Sequence, residues 1–252
     1  MRLTIIGCSG SFPGPDSPAS CYLVEAPYDG ATFRLLLDLG SGALGALQRH
    51  TSLRSIDAVA LSHLHADHCL DLCGFYVVRR YHPLGPWPPL PVFGPPRSFQ
   101  RLSRAYDLEP NPGLREEFTF HTYPAGDFKV GPFTVSAVLV DHPATAYAIR
   151  VSVGERSLVY SGDTAPCGSL QRLAKGCDLL LAEASFADGE DNPPHLHMTG
   201  RQAAEIADAA GVGRLLLTHI PPWHSREAIL AEARPHYRGE TTLALPDQSY
   251  DV

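Results

Sequence analysis

Hydrophobic and polar residues alternate in short runs along most of the chain, which predicts many strands and few long helices. Residues 1–40 have the pattern of a three-stranded meander, and residues 118–160 repeat that style. The clearest helix signal is a capping-box pattern, Thr199 with Gln202, followed by an apolar stripe. Strands followed by helices in each half, with no linker between the halves, predict one α/β domain over residues 1–252, built as two face-to-face sheets with helices outside.

Two segments break this pattern. Residues 82–96 contain seven prolines, which predicts an irregular surface excursion. Residues 7–14 form a loop rich in glycine, serine and proline that follows a strand but leads into no helix pattern. We therefore expect a turn there rather than a phosphate-binding loop.

Composition narrows the class of protein. A hydrophobic content of 44% and a charged content of 19% are globular values, and no run of about 18 apolar residues exists. The start of the chain has no cleavage-site pattern, and the six cysteines form no C-x-x-C pair. We expect a cytoplasmic protein without a membrane segment, whose thiols stay reduced.

The charge is unevenly distributed. A net charge of −7 disfavours general nucleic-acid binding, yet residues 72–106 hold five arginines and no acidic residue. A basic wall of this kind would suit an anionic substrate, and a solvated helix face would explain it equally well.

The densest chemistry lies in Ser62–His68, which places three histidines and one aspartate within six positions directly after a strand-like run. His63 and His65 are two residues apart, so in an extended segment they share one face. Asp67 and His68 follow where the chain should enter a helix, and there adjacent side chains diverge by roughly 100°. One pair can face one metal ion while the other faces a second, so the stretch predicts a metal site.

Three later residues share a context with this stretch, because each follows a predicted strand. They are His142, Asp163 and His219. Loops at one edge of a sheet are where a scaffold presents functional groups, and together with Ser62–His68 these residues would complete two coordination spheres. Asp38 also ends a strand, where it would either hydrogen-bond a ligating histidine or cap the turn.

The motifs Ser-His-Leu-His-Ala-Asp-His, Asp-His-Pro, Ser-Gly-Asp-Thr and Leu-Thr-His-Ile, in this order, resemble the metallo-β-lactamase superfamily. The resemblance implies a four-layer αββα sandwich with two divalent metal ions, usually zinc, for which manganese or iron can substitute. The ligands it implies are His63, His65 and His142 for one ion, Asp67, His68 and His219 for the other, and Asp163 between them. Asp67 would also orient a metal-bridging hydroxide and accept its proton.

Two further segments indicate a branch of this superfamily. The chain has no Gly-His-Thr-Pro-Gly-His signature, which disfavours glyoxalase-type thioesterases and many lactonases. Glu183-Ala-Ser-Phe and His197-Met-Thr instead resemble the tRNase Z branch, in which a glutamate and a histidine of similar segments assist phosphodiester cleavage. Met198 and Ala182 depart from the branch pattern. Our hypothesis is that His197 is the general acid and that Glu183 polarises it.

The spacing of the motifs bears on the substrate. Typical tRNase Z chains carry a long arm between the Asp-His-Pro-like and Gly-Asp-Thr-like motifs, but only twenty residues separate His142 from Asp163 here. We therefore predict a metal-dependent hydrolase that cleaves a phosphodiester in a small anionic substrate such as a cyclic nucleotide. This is similar to the bacterial cyclic-nucleotide phosphodiesterases of this fold. The arginines from Arg79 to Arg104 would bind phosphate, and four aromatic residues would bind the base: Phe75, Tyr76, Tyr81 and Trp87.

Three other functions stay open. A tRNA 3'-processing endoribonuclease would have to grip its substrate through a partner subunit. A lactonase or thioesterase would prefer esters, and a non-catalytic module would bind two metals without turnover. A homodimer would be ordinary for this superfamily, although no residue in the sequence decides it.

Overall fold

The computed structural model describes residues 1–252, with fourteen strands and seven α-helices. In chain order the strands are β1 (Arg2–Gly7), β2 (Cys21–Tyr28), β3 (Ala31–Leu37), β4 (Ala58–Ala60), β5 (Leu90–Gly94), β6 (Phe118–Thr122), β7 (Phe128–Val130), β8 (Phe133–Leu139), β9 (Tyr147–Val153), β10 (Arg156–Tyr160), β11 (Leu179–Glu183), β12 (Arg214–Thr218), β13 (Glu240–Leu243) and β14 (Ser249–Asp251). The helices are α1 (Ala43–Leu47), α2 (Ala66–Cys69), α3 (Leu72–Tyr81), α4 (Ser98–Ala105), α5 (Gly168–Ala174), α6 (Gly200–Ala210) and α7 (Arg226–Ala233). None of them is both long and apolar enough to cross a bilayer.

The strands form two seven-stranded mixed sheets with mirrored organisation. The first has the order β14-β1-β2-β3-β4-β5-β6 and the second β13-β12-β11-β10-β9-β8-β7. In the first sheet β3, β4, β5 and β6 pair in parallel and the others antiparallel. In the second, β10 to β13 pair in parallel and β7 to β10 antiparallel.

Three apolar cores separate four layers. Within β3, Leu35 and Leu37 enter the core between the sheets, while Leu36 enters an outer core beneath α1, α3 and α4. Within β11, Leu181 enters the central core and Leu180 enters the other outer core, beneath α5, α6 and α7. Alternation along each strand therefore serves two cores at once. This arrangement confirms the four-layer αββα sandwich that the resemblance implies.

The helix boundaries follow local capping. The Thr199 side chain accepts from the backbone N–H of Gln202, and the Gln202 side chain accepts from the backbone N–H of Thr199, so the predicted capping box is present at α6. Ser225 caps α7 by accepting from Ala228 N–H. These caps fix where the chain leaves the loops next to the sheet edge.

The proline-rich segment contradicts its prediction in one part, because Leu90–Gly94 forms strand β5 inside the first sheet. The short strand β4 pairs only with Val92 and Phe93, so the missing N–H of Pro91 lies before that pairing begins. A single helix predicted after Ser62–His68 is divided into α2 and α3, and the short strands β13 and β14 were not predicted.

The strand directions bring the candidate residues to one edge. Parallel strands end at the same edge of a sheet, which places Asp38 after β3, His63 after β4, Asp163 after β10 and His219 after β12. Strand β8 runs in the direction of β10 because β9 is antiparallel to both, so His142 also reaches this edge. Only a tight turn joins β9 to β10, and no arm projects between His142 and Asp163.

Candidate metal centre

The segment Ser62–His68 divides its four candidate ligands between two positions. The chain is extended through His65 and then begins α2, which carries Asp67 and His68. His63 and His65 face His142 and Asp163, whereas Asp67 and His68 face His219 and Asp163. Within each group the nitrogen and carboxylate oxygen atoms lie within 4.8 Å of one another. The structure therefore brings together all seven residues that the sequence proposed as ligands.

Asp163 lies between the two groups. One of its oxygens is 3.2 Å from His68 Nε2, and the other is 3.6 Å from His63 Nε2 and 3.3 Å from His219 Nε2. Asp67 Oδ2 is 3.3 Å from His68 Nε2 and 3.6 Å from His219 Nε2. A carboxylate at the centre with imidazole nitrogens around both oxygens has the arrangement of a bridging ligand.

The donor atoms of this cluster fit divalent cations. The buried Nε2 atoms of His63, His68 and His219 and Oδ1 of Asp163 have no hydrogen-bond partner in the protein. Leaving such an atom unsatisfied costs roughly 1–3 kcal/mol, so several of them in one cluster indicate that a bound group satisfies them. Imidazole nitrogen and carboxylate oxygen are donors that zinc and related divalent ions accept.

Asp38 fixes the orientation of the His68 ring. Its buried carboxylate accepts hydrogen bonds from His68 Nδ1 at 2.7 Å, from Ser62 N and Oγ at 2.7 Å each, and from Tyr160 OH at 2.8 Å. Because Nδ1 donates to Asp38, Nε2 is the ring atom that faces the cluster, and it would bind an ion there once its own proton is lost. Of the two roles that the sequence allowed for Asp38, the structure shows the contact with a candidate ligand.

The other candidate ligands also have fixed rings. His142 Nδ1 donates to Leu196 O at 2.9 Å, and Ser20 Oγ lies 2.8 Å from His219 Nδ1. The glycine-rich loop supports His219 from the other side, where a Cβ on Gly10 would lie 2.3 Å from the His219 carbonyl oxygen. Only glycine fits there, so backbone packing explains the glycine at this position.

Charge and burial set the protonation of the cluster. Burial alone would lower the pKa of His68, but Asp163 and Asp38 outweigh it and raise that pKa well above its usual value. Burial would raise the pKa of Asp163, yet His219, His68 and His63 hold it well below its usual value. Burial lowers the pKa of His63 well below its usual value, and the positive charge of His68 lowers it further. Neutral imidazole and ionised carboxylate are the forms that bind metal.

His197 and Glu183 form a hydrogen-bonded pair beside this cluster. His197 Nδ1 donates to Glu183 Oε1 at 2.9 Å, and the nearest oxygen of Asp163 is 4.0 Å away. Glu183 is fully buried and also accepts from Thr164 N and Ser185 N. Burial would lower the pKa of His197, but the Glu183 carboxylate raises it to about 9. The pair keeps the imidazole protonated and leaves Nε2 free.

A groove of ≈ 610 Å³ lies against His197, and its lining includes Phe186, Pro221 and Trp223. The Trp223 side chain is 63% exposed and packs on Phe12 with ring centroids 5.2 Å apart. Sequence reasoning missed both aromatic residues of the groove. Their positions in the sequence could have indicated them, because Phe186 ends the Glu183-Ala-Ser-Phe segment and Trp223 follows His219 by four residues.

The aromatic residues that the sequence proposed for base binding lie elsewhere, and that prediction is wrong. Phe75, Tyr76 and Trp87 are buried in the outer core of the first sheet. Tyr81 is exposed at the end of α3 and lines none of the larger grooves. An apolar helix face and a surface site have the same local composition, so the sequence could not separate them.

Two of the five arginines are structural. Arg79 is buried, donates to the carbonyls of Glu117 and Pro88, and has a pKa lowered by burial to about 10. Arg80 pairs with the carboxylates of Glu116 and Glu117. These two residues are therefore not part of a phosphate-binding wall.

Comparison with known proteins identifies relatives over the whole chain. The protein Rv1339 of Mycobacterium tuberculosis is 43% identical over 258 residues, which cover 100% of this chain and 92% of the relative. The probable metallo-hydrolase YhfI of Bacillus subtilis is 30% identical over 252 residues and 97% of both chains. Its crystal structure matches with a TM-score of 0.87 at 29% identity over 99% of each chain.

A third relative is the ribonuclease Z of Myxococcus xanthus, which is 30% identical and covers 97% of this chain and 95% of its own. That alignment runs over 302 positions, more than this chain contains, so the ribonuclease has inserted segments. The model of the beta-lactamase superfamily domain matches residues 34–220, which include every candidate ligand. The chain therefore belongs to the metallo-β-lactamase superfamily, in its tRNase Z-like branch, and its relatives include a probable metallo-hydrolase and a ribonuclease Z.

Proposed function

We propose that this protein is a phosphodiesterase acting on a small nucleotide substrate such as a cyclic nucleotide. The observation that carries the proposal is the His197–Glu183 pair, with Nδ1 held at 2.9 Å and Nε2 free beside the metal-ligand cluster. An alkoxide leaving group needs a proton, and a buried imidazole oriented by a carboxylate supplies one. The kinship with a ribonuclease Z supports the same bond type.

The residues that would hold the metals are those described for the cluster. One ion would have His63, His65 and His142, the other Asp67, His68 and His219, with Asp163 shared. Zinc suits this set best, and manganese or iron would be accepted by the same donors. Two such ions supply Lewis acidity, which acidifies a water molecule and neutralises the phosphate oxygens.

The chain's own groups carry the protons. Asp67 would orient the attacking water and accept its proton as the new oxygen–phosphorus bond forms. His197 Nε2 would give its proton to the ester oxygen as the old bond breaks, and Glu183 would stabilise the imidazolium beforehand. Proton donor and proton acceptor thus differ, as in-line displacement requires.

The small size of the substrate follows from the absence of an arm. The β9–β10 hairpin closes directly, with Val153 paired to Arg156, so this part of the chain offers no extension to hold a folded RNA. The net charge of −7 also opposes binding of a long polyanion.

Metal analysis followed by a turnover panel tests the proposal. The panel contains 3',5'-cyclic nucleotides, bis(p-nitrophenyl) phosphate, a precursor tRNA, a lactone and a thioester. We expect two ions per chain and turnover of the small phosphodiesters. Preferred cleavage of the tRNA would favour the processing endoribonuclease, and preferred ester hydrolysis would favour a lactonase or thioesterase. Full metal occupancy without any phosphodiester turnover would overturn the proposal.

Trp223 is expected to bind the base of the substrate. Base–aromatic stacking contributes roughly 1–3 kcal/mol, so Trp223→Ala should raise KM for cyclic AMP by about tenfold or more with little change in kcat. Trp223→Tyr should retain most of the affinity. Tyr81→Ala is the matched control, since Tyr81 is equally exposed but lies outside the groove. Unchanged KM in a folded Trp223→Ala protein would remove this role.

A further inference from the structure

A second groove, of ≈ 490 Å³, is distinct from the groove at His197. It lies at the sheet edge that carries the metal-ligand cluster, because its residues 95–104 follow β5, which is parallel to β4, although no candidate ligand lines it. Its lining includes Leu64, which lies between His63 and His65 in sequence, and Ala144, two residues after His142. The two grooves have no lining residue in common. One groove is lined by sequence neighbours of His63, His65 and His142, and the other is lined by His197 itself.

Three arginines line this second groove: Arg97, Arg101 and Arg104. All three are exposed, none forms an ion pair, and none of their side chains has a hydrogen-bond partner in the protein. No acidic residue lines the groove, although the chain as a whole carries a net charge of −7. Arg101 and Arg104 are three residues apart on α4, and Arg97 directly precedes this helix, so the like charges that line the groove repel one another. An anion would relieve that repulsion.

We infer that this arginine groove binds a second phosphate of the substrate, next to the phosphodiester that reacts. The inference rests on the proposed phosphodiesterase function. Guanidinium groups form bidentate, charge-assisted hydrogen bonds with phosphate, and three of them converge here without competing carboxylates. The volume of the groove lies within the range of small-molecule sites, so it has room for more than a free ion.

The position of the groove decides which part of the substrate it holds. His197 gives its proton to the leaving group, which therefore lies in the aromatic groove with Phe186 and Trp223. The arginine groove lies on the side of the other ligand group and takes the part that stays bonded to phosphorus. The substrate class is then a short nucleotide with two phosphates, such as a terminally phosphorylated dinucleotide, in preference to a cyclic mononucleotide.

Kinetics on matched substrates test this inference with the metal-loaded protein. The substrates are a deoxydinucleotide with one internal phosphodiester and the same molecule with an additional phosphate at its 5' or its 3' end. We expect one of the phosphorylated forms to have a kcat/KM about 10- to 100-fold above that of the parent, because charge-assisted hydrogen bonds contribute that much to binding. The triple variant Arg97→Gln, Arg101→Gln, Arg104→Gln should lose this gain, and the loss should appear as a higher KM for the phosphorylated form.

Two controls distinguish specific recognition of the second phosphate from a folding defect and from the mere loss of a positive charge. Arg54→Gln removes an exposed arginine that forms no ion pair and lies outside both grooves, so it should change nothing. The triple variant should melt no lower than wild type, because its like-charge repulsion is relieved. A terminal phosphate that gives no arginine-dependent gain, while the parent is turned over, overturns the inference and leaves the proposed function standing.

If the metal-loaded protein turns over none of these substrates, the proposed function fails, and a binding experiment then tests the inference on its own. The parent and the two phosphorylated dinucleotides are then titrated calorimetrically into wild type and into the triple variant. Tighter binding of a phosphorylated form that depends on the three arginines supports the inference. Equal binding of all forms to both proteins overturns it.

Discussion

Replacing His197 with alanine is expected to lower kcat for a cyclic nucleotide by about 10²- to 10⁴-fold while both metal ions stay bound. The expectation rests on geometry, since Nδ1 is held by the buried Glu183 and only Nε2 is free to donate. Bis(p-nitrophenyl) phosphate has a leaving group that departs without a proton, so its kcat should fall far less. The measurement is kcat for both substrates together with the metal content of each protein.

The matched control for this prediction is His195→Asn, because His195 has a φ of 60° and asparagine tolerates that left-handed conformation better than alanine. His195 lies two residues away, has a side chain that is 74% exposed, and contacts only Asp141, so kcat should stay within about twofold of wild type. Near-normal turnover of the cyclic nucleotide by a metal-loaded His197→Ala protein would contradict the assignment of His197 as the acid.

Glu183 is a positioning residue, and its effect should be visible in the pH profile. The Glu183 carboxylate raises the pKa of His197 to about 9, so the protonated acid persists below that pH and is lost above it. Glu183→Gln removes the charge but keeps the acceptor oxygen, which should move the alkaline limb of kcat to lower pH. Bound cations lower this pKa in both proteins, so the comparison between variants is the informative quantity. A purely structural role would lower activity without moving the limb.

Removing the carboxylate of Asp38 is the second large effect that we expect, and it concerns stability. The carboxylate accepts four hydrogen bonds, from Ser62 N, Ser62 Oγ, His68 Nδ1 and Tyr160 OH, all of them buried. Asp38→Ala should therefore lower the free energy of unfolding by about 3–5 kcal/mol, and loss of the His68 partner should weaken metal binding about 10- to 100-fold. Denaturant unfolding of the metal-free protein and competition with a chelator measure the two effects separately.

Two variants refine this experiment. Asp38 has a φ of 59°, a left-handed conformation that asparagine tolerates better than alanine, so Asp38→Asn isolates the loss of charge from backbone strain. Asp57→Ala removes a carboxylate that directly precedes β4, at the end of this strand opposite to the metal cluster. The Asp57 carboxylate accepts a hydrogen bond from Arg34 N at 2.8 Å. This substitution should cost only about 1 kcal/mol and leave metal affinity unchanged. Equal losses for Asp38 and Asp57 would show that Asp38 has no special relation to the cluster.

The sequence predicted the part of the molecule in which residue type and spacing are unusual. Ser62–His68 contains donors too dense for an ordinary turn, and the later strand ends at His142, Asp163 and His219 complete the cluster. The short apolar runs of β3 and β11 likewise predicted buried strands, because residues on both faces of each strand enter an apolar core.

Features that depend on the partners of a residue could not be predicted. Pro91 is typical of a strand breaker, yet β5 pairs on both sides, with β4 and β6, because β4 is too short to need the missing N–H. Arg79 and Arg101 belong to the same basic run, but one is satisfied by buried carbonyl groups and the other faces an open groove. Trp87 and Trp223 differ in the same way, one packed in a core and one exposed beside His197. The two residues of each pair are of the same type, and only their tertiary packing distinguishes the structural one from the one that lines a groove.

The mirrored sheets have a consequence for how such a molecule can diversify. The metal ligands lie at the seam between the two halves, whereas the arginine groove rests chiefly on α4 of the first half and the aromatic groove on loops of the second. Residues of either groove can be substituted without displacing a candidate metal ligand or a residue of the other groove. Under the proposed function, the two ends of the substrate would then be recognised by surfaces that can change independently, while the residues that carry the reaction stay the same.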